Sequence, residues 1–305
     1  MLNSPSQNTS PAITAEDAMY EWKGADFPTP VTIGSERHKT LFCDMLLNTH
    51  NPYKPAVMDW PTLDDEALGR VTSLPIWDIA VQTEGRASIR VKTFAERVAD
   101  PVLRKALDMD AAEEARHKQV LGALVSAYGI TLEPEPAYPP PDDPEWAWLV
   151  TGYSECIDSF FAFGLFEMAR RSGFFPVELV ETFEPVIQEE ARHILFFANW
   201  IAWYRKQLSL PARVKFRLRE VAVWAFLIWE RIGIARGIDT EGDFNDANFT
   251  MSGGQGLTGQ DISPFDFFTL CLDENERRMT GFDHRLLRPT LVPTLVKFAR
   301  RFMSK

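Results

Sequence analysis

The sequence predicts an all-α protein built around four long helices, with further helices before and after them. Apolar residues recur at steps of three and four over long stretches, and no run alternates apolar and polar side chains as a strand would. The segment EPEPAYPPPDDPE, residues 133–145, is too rich in proline for either helix or strand. It divides the predicted bundle into two similar halves.

Composition sets the size and the compartment that we expect. A chain of 305 residues with 45% apolar content can bury a large core and lies near the upper size of one domain. The start MLNSPSQNTSP lacks the features of a secretory signal, and no apolar run approaches the ~20 residues of a membrane span. The three cysteines form no CxxC pair. We therefore expect a reducing, cytoplasmic location and no membrane span.

The charge of the chain argues against one class of partner, and it is unevenly distributed along the sequence. The net charge of −11 argues against nucleic-acid binding, which needs a basic face. From Arg277 to Lys305, however, eight Lys and Arg stand against Asp283 alone, a net +7 that leaves −18 for the rest. The simplest interpretation is a basic tail that lies on an acidic body. Docking to a membrane or to a partner is the alternative.

Residues 1–60 are predicted to form an extended or disordered N-terminal arm with one short helix. Residues 1 to about 34 are rich in Ser, Pro, Thr and Asn, and Ser35 can cap a helix that runs to about Asn48. Pro-rich turns follow at His50 and Trp60. Residues 61–305 are then expected to form a single helical domain, with a core bundle at about 74–207 and a helical extension at 211–305.

The four long helices are predicted from apolar stripes whose only polar members fall near mid-helix. Pro185 should bend the fourth helix or mark its start, because proline removes a backbone donor. The predicted ranges are about 74–99, 102–128, 144–171 and 177–207.

The pentapeptide EEARH occurs twice, as residues 113–117 on the second helix and as residues 189–193 on the fourth. In each copy, a Glu and a His three residues apart share one helical face. Two such helices that face each other provide the ExxH halves of a two-metal carboxylate site.

Glutamates on the other two helices lie at matching heights. Glu84 precedes the first interhelical turn by 16 residues and Glu114 follows it by 14, while Glu155 precedes the second turn by 19 and Glu190 follows it by 16. At 1.5 Å per residue, each pair reaches nearly the same level. The candidate metal ligands are therefore Glu84, Glu114, His117, Glu155, Glu190 and His193.

Two other acidic residues on the third helix remain open as ligands. Asp158 lies near Glu155 and can replace or assist it, and Glu167 is a competing choice that lies only seven residues from the turn. Four carboxylates buried at one level repel each other and lose hydration, a cost that protonation or a cation relieves. Oxygen-rich ligation with one imidazole per ion suits iron or manganese better than zinc.

With this doubled EExxH, the segment from about Leu74 to Gln207 resembles the ferritin-like diiron-carboxylate superfamily. The resemblance implies a bundle that holds two Fe ions, with Mn or mixed Mn/Fe as alternatives. It also implies that Glu113 hydrogen-bonds to His193 and that Glu189 hydrogen-bonds to His117, behind the ligands. Asp110 and Asp158 are further candidates for such supporting contacts. Arg116 and Arg192 are either salt-bridge partners of Glu113 and Glu189 or residues at the rim of the site, and spacing does not decide between these roles.

No branch of the superfamily matches well. The ribonucleotide reductase radical subunit carries a Tyr where this chain has Leu121, and arylamine N-oxygenases carry an extra His where it has Val186. Rubrerythrins add a CxxC domain, and ferritins are about half this length.

Helices predicted at 211–236, 264–280 and 293–303, with a Gly-rich loop at 240–260, favour an enzyme over a storage protein. The resemblance then implies an oxidoreductase, such as a monooxygenase, that uses O₂ to hydroxylate or oxidise a small apolar organic substrate. The external electron donor is expected to be a reductase, and a homodimer is the candidate assembly. Iron binding with ferroxidase or peroxide-scavenging activity is the alternative, and chiefly structural metals are a third hypothesis.

An apolar pocket near the metals is inferred only from the aromatic residues nearby, which at helical spacing are more often plain core. These residues are Phe160, Phe161, Phe163, Phe166, Phe196, Phe197 and Trp200.

Overall fold

A computed structural model of the chain describes residues 15–55, 58–235 and 263–303. Every regular element in these ranges is a helix, and one isolated bridge pairs Trp22 with Phe282. The all-α prediction is therefore confirmed for the part of the chain that the structure describes. The helices are α1 (Ala15–Ala18), α2 (Glu36–Asn48), α3 (Asp65–Thr72), α4 (Trp77–Ala95), α5 (Pro101–Ala127), α6 (Pro144–Ser172), α7 (Val177–Gln207), α8 (Leu210–Ala235), α9 (Pro264–Thr280) and α10 (Leu291–Arg300).

Most helix boundaries agree with the sequence patterns, and two differences have local causes. The helix α3 was not predicted: it lies between the Pro-rich turn at Trp60 and the expected start of the first long helix near Leu74, and the Asp64 carboxylate caps it by accepting from the Ala67 N–H at 2.7 Å. The start of α4 moves to Trp77. Pro185 lies inside α7, so it does not mark the start of that helix. The Gly-rich loop predicted at 240–260 lies outside the described residues.

The central helices α4–α7 surround the main core. Helix α4 packs against α5 and α6, and α7 packs against α6 and α5. At one end of this core, Phe94 of α4 stacks on Trp148 of α6, and the Trp200 ring of α7 meets Phe94 edge-on. Helix α2 lies against α5 and α7, whereas α8, α9 and α10 all pack on α6. The additional helices thus cover two sides of the central four.

Between α1 and α2 the chain has no regular element apart from the bridge at Trp22, and from Met19 onward it is packed on the body. Met19 is fully buried, and the Gln188 side-chain amide donates to its carbonyl at 3.0 Å. The Gly24 N–H donates to the Asp283 carboxylate at 2.9 Å. An apolar anchor and buried backbone hydrogen bonds therefore fix a segment whose composition alone favours disorder.

The basic C-terminal region lies partly on acidic groups of the body, as its charge predicts. Arg278 of α9 donates to both carboxylate oxygens of Glu184 at 3.0 and 2.9 Å. Arg285 donates to Asp283 within the same region. Of the helices in the described ranges, none is both long and apolar enough to cross a membrane.

Close approach of α6 and α9 depends on Gly164. A Cβ atom there would lie 2.3 Å from Cys271 Sγ and 3.1 Å from the Cys271 Cα, which is backbone and cannot swing away. We expect Gly164→Ala to lower the free energy of unfolding by about 1–3 kcal/mol through overpacking, measured by urea denaturation. Gly122→Ala is the matched control, because nothing lies within 4 Å of its added Cβ. That variant should gain about 0.5–1 kcal/mol through helix propensity. Equal effects from the two variants would contradict this account of the interface.

Candidate metal centre

The two EEARH segments face each other across the middle of the central helices. His117 of α5 and His193 of α7 are both buried, and their ring centroids are 5.6 Å apart. The imidazoles are therefore close enough to serve neighbouring ions. Their Nδ1 atoms, like one oxygen of Glu114, have no hydrogen-bond partner in the described part of the chain.

One group of potential ligands draws on three helices. Single ligand atoms of Glu84, Glu114, His117 and Glu190 all lie within 4.8 Å of one another. His117 Nδ1 is 3.1 Å from a Glu190 oxygen and 3.6 Å from a Glu84 oxygen. Divalent ions such as Zn²⁺ and Mg²⁺ bind oxygen and nitrogen ligands at about 2.0–2.2 Å. Two ligand atoms on opposite sides of one ion therefore lie about 4 Å apart. The group fits one cation.

A second group shares Glu114 with the first. Ligand atoms of Asp110, Glu114 and His193 lie within 4.8 Å of one another, and His193 Nδ1 is 2.8 Å from a Glu114 oxygen. Asp110, which was predicted to support a ligand from behind, lies within this second group of potential ligands. It is 1% exposed, and neither of its oxygens has a hydrogen-bond partner in the described residues. Glu114 stands where it can bridge two ions.

Glu113 supports His193 as the resemblance implied. His193 Nε2–H donates to Glu113 at 2.9 Å, which turns Nδ1 toward the ligand group. Arg192 Nη1 donates to both Glu113 oxygens at 3.0 and 2.9 Å, and His50 Nδ1 lies 2.6 Å from one of them. Burial opposes ionisation of Glu113, but Arg192 and the two histidines hold its pKa well below the ordinary value.

Glu189 plays the corresponding part for His117. His117 Nε2–H donates to Glu189 at 2.9 Å, while Arg116 donates to the other Glu189 oxygen at 2.5 Å. The Tyr53 hydroxyl donates to Glu189 at 3.1 Å, and the Arg116 guanidinium lies 4.1 Å from the centre of the Tyr53 ring. The two arginines therefore pair with the glutamate of the opposite EEARH copy. Spacing alone had left them unassigned.

Charge balance separates these supporting glutamates from the candidate ligands. Arg192 and Arg116 neutralise Glu113 and Glu189, whereas Glu84, Glu114 and Glu190 each lie within 4 Å of an imidazole nitrogen. Burial, reinforced by the charge of Glu84, raises the pKa of Glu114 well above its ordinary value. Burial would lower the pKa of His193, yet Asp110, Glu113 and Glu114 raise it well above the usual range. Such a cluster of electron donors with excess negative charge fits divalent cations.

On the third central helix, the structure favours Glu155 over its two competitors as a ligand, although Glu155 lies outside both groups. One Glu155 oxygen is buried without a hydrogen-bond partner in the described ranges, and the charges of Glu114, Asp110 and Glu190 add to burial in raising its pKa. Asp158 instead pairs with Arg231 at 2.7 Å.

Glu167 is held away from the centre by its own helix. Its carboxylate accepts from Arg170 and Arg171, both at 2.6 Å, and although burial opposes ionisation, these arginines lower its pKa to about 2. Its charge is therefore already balanced without a metal.

A cavity opens beside the carboxylates. Glu84, Glu114, Glu155 and Glu190 line it together with apolar side chains and with further polar ones, which include Arg90 and Asp158. A second cavity toward the α6–α7 turn is lined by apolar side chains only, including Trp77. The two cavities have four lining residues in common, Leu121, Ala162, Phe183 and Ile187.

Apart from Phe166, the apolar space is built by residues other than those proposed from the sequence. Of the seven aromatic residues named above, Phe166 lines the second cavity, whereas Phe163, Phe196 and Trp200 belong to the main core. Aromatic side chains at helical spacing packed as core here, as they usually do.

Sequence reasoning missed the connection from α2 to α3 as part of the centre. His50, Asn51 and Tyr53 were interpreted as part of a turn, and Thr49 was given no role. Thr49 Oγ1 accepts from Arg192 Nε at 2.6 Å, and the Asn51 carbonyl accepts from Arg116 at 2.7 Å. The available signal was indirect: Glu113 and Glu189, once buried, require donors, and such donors can come from any nearby segment.

Comparisons of this chain with protein-family models, with curated proteins and with solved structures found no match.

Proposed function

We propose that this protein is a ferritin-like, non-haem dinuclear-iron oxidoreductase that uses O₂ to hydroxylate or oxidise an apolar organic substrate, with electrons from an external donor. The observation that carries the proposal is the pair of ligand groups that share Glu114 beside an apolar cavity. Bound iron supplies the activation of O₂, which amino-acid side chains alone do not perform.

The chain's own residues set the conditions for that chemistry. Glu113 and Glu189 accept hydrogen bonds from the Nε2–H groups of His193 and His117, so the Nδ1 lone pair of each histidine is oriented toward the centre. Glu84, Glu114, Asp110 and Glu190 offer oxygen ligands, which suit iron or manganese. Ser159 Oγ, 3.3 Å from Glu190, restrains that carboxylate.

The second cavity favours an organic substrate over the alternative, ferroxidase or peroxide-scavenging activity. Iron ions and peroxide need polar contacts on their route to the centre. A cavity lined only by apolar side chains offers them none, but it accommodates a hydrocarbon group of a substrate.

A substitution that fills the region where the two cavities share lining residues provides the test. We expect Ala162→Phe to retain two iron ions per chain and to lose at least about tenfold in oxidation of apolar substrates or in binding of apolar probes, because the ring occupies the shared wall. Iron content, O₂ consumption and dye displacement are the measurements. Ala112→Phe, at an exposed position of α5, is the matched control and should retain all three.

Two results would contradict the proposal in different ways. A reduced, iron-loaded protein that shows no O₂-dependent absorption change is not an O₂-activating enzyme. Rapid iron oxidation that Ala162→Phe leaves unchanged, together with no oxidation of any apolar compound, would favour the ferroxidase alternative.

A further inference from the structure

We propose that α8 and α10 form a surface that binds the protein peripherally to an anionic lipid membrane. The proposal does not depend on the metal chemistry. It arises from an unusual concentration of apolar side chains. Of the fourteen large apolar side chains exposed in the described ranges, eleven lie on α8, on α10 or just after α10. They are Leu210, Val214, Leu218, Val221, Ile228, Trp229, Ile232, Leu291, Leu295, Phe298 and Phe302.

On each helix these residues form one stripe. Along α8 they follow one another mainly at steps of three and four, with the exposed Ala225 filling the longest gap. Exposure is 67% at Leu218, 58% at Trp229 and 75% at Phe302, so these side chains are far from buried. We call the two stripes, together with the basic residues Lys215, Arg217, Lys297 and Arg301 that border them, the apolar-basic face.

All exposed charges on these helices are basic. Lys215 and Arg217 flank the stripe on α8, and Lys297 and Arg301 flank the stripe at α10. The two acidic residues of α8, Glu220 and Glu230, are instead buried, at 4% and 3% exposure. In a protein of net charge −11, this segregation is the reverse of the average surface.

The two stripes belong to one region of the molecule. Val292 and Val296 of α10 pack with Phe160 of α6, and Trp224 of α8 packs against the same cluster. Both helices therefore lie on α6 with their exposed sides away from it. An amphipathic helix with Leu, Trp and Phe on one side and Lys or Arg at its borders lies in the plane of a membrane surface and does not span it.

Charge decides between a membrane and a second copy of the chain. In a symmetric dimer through this face, Lys215, Arg217, Lys297 and Arg301 would meet a surface whose exposed charges are again positive, and like charges at an interface oppose association. Anionic headgroups supply the opposite charge while their acyl chains accept the apolar side chains. The complementary partner is therefore an anionic lipid surface.

The test is sedimentation of the full-length protein with lipid vesicles. We expect binding to vesicles of phosphatidylglycerol and phosphatidylcholine, little binding to phosphatidylcholine alone, and weaker binding as salt rises above about 0.1 M, where screening shortens to about 10 Å. The double variant Trp229→Glu/Phe298→Glu should bind at least about tenfold more weakly. Val102→Glu/Val177→Glu is the matched control, because it adds the same charge at exposed apolar positions elsewhere.

A milder variant tests the electrostatic part separately. Lys215→Gln/Lys297→Gln leaves the apolar stripes intact. It should reduce binding to the anionic vesicles and leave the binding to phosphatidylcholine vesicles unchanged. Failure of the wild-type protein to sediment with anionic vesicles would overturn the proposal. So would a wild-type dimer in sedimentation velocity that Trp229→Glu/Phe298→Glu converts to monomer without any vesicle binding, since a second copy would then be the occupant.

Discussion

Glu114→Gln should abolish the binding of both metal ions, whereas Glu84→Gln should weaken only one. Glu114 is the one residue common to the two ligand groups, and Gln offers a neutral, weaker oxygen donor. We expect about two divalent ions per chain in the wild-type protein and fewer than one in Glu114→Gln, a loss of at least about 100-fold in affinity. Equilibrium dialysis with Fe²⁺ or Mn²⁺ under anaerobic conditions measures this.

The same substitution should stabilise the metal-free protein. The pKa of Glu114 is higher in the folded protein than in the unfolded chain, where it is about 4.3, so this carboxyl costs stability at any pH above that value. Gln removes the cost, and we expect the melting temperature of the metal-free protein to rise by a few degrees at pH 7.

Glu167→Gln is the matched control for both measurements. That carboxylate is also buried, but it pairs with Arg170 and Arg171, so its loss should lower stability and leave the metal content unchanged. If Glu114→Gln still binds two ions tightly, Glu114 is not a ligand that both metal sites need.

Arg192→Met should lower the free energy of unfolding of the metal-free protein by about 3–5 kcal/mol, because it leaves Glu113 buried without its main cationic partner. Arg192 is fully buried and also donates to Thr49 and to the Leu46 carbonyl, so the substitution removes these hydrogen bonds as well. Urea denaturation in the presence of a chelator measures the change.

A double-mutant cycle separates the ion pair from general damage to packing. Arg192→Met/Glu113→Gln should recover part of the loss, since both charges are then gone. Lys92→Met removes one member of the exposed Lys92–Asp108 pair and should change stability by less than about 0.5 kcal/mol. A loss below about 1 kcal/mol in Arg192→Met would show that Glu113 is neutral or hydrated in the folded protein.

The sequence predicted the long helices well because their signals are local and repeated. The bounds of α7 agree at both ends, since Val177 follows Pro176 and the apolar period ends near Gln207. The short helix α3 was missed because eight residues contain about two turns, too few for a periodic stripe to stand out, and its Asp64 cap resembles a turn residue.

The candidate centre was predictable as far as it depends on helical spacing. Glu84, Glu114 and Glu190 converge because residue counts from a turn fix the height of a side chain along a helix. The place of Asp110 in the second group of potential ligands was not predictable. Asp110 lies about one helical turn before Glu114, and spacing does not decide whether such a side chain faces the candidate metal site or the neighbouring helix. His50 and Tyr53 depend on a long-range contact, for which neither period nor capping gives a signal.

The connection from α2 to α3 also bears on where this chain can be divided. A fragment that begins at residue 61 would keep all the candidate ligands, yet it would lack Thr49, His50 and Tyr53, which saturate Arg192, Glu113 and Glu189. The four central helices are therefore not a self-sufficient module. Transplanting them into another scaffold, or shortening the chain from its amino end, would require new donors and acceptors for three buried charges.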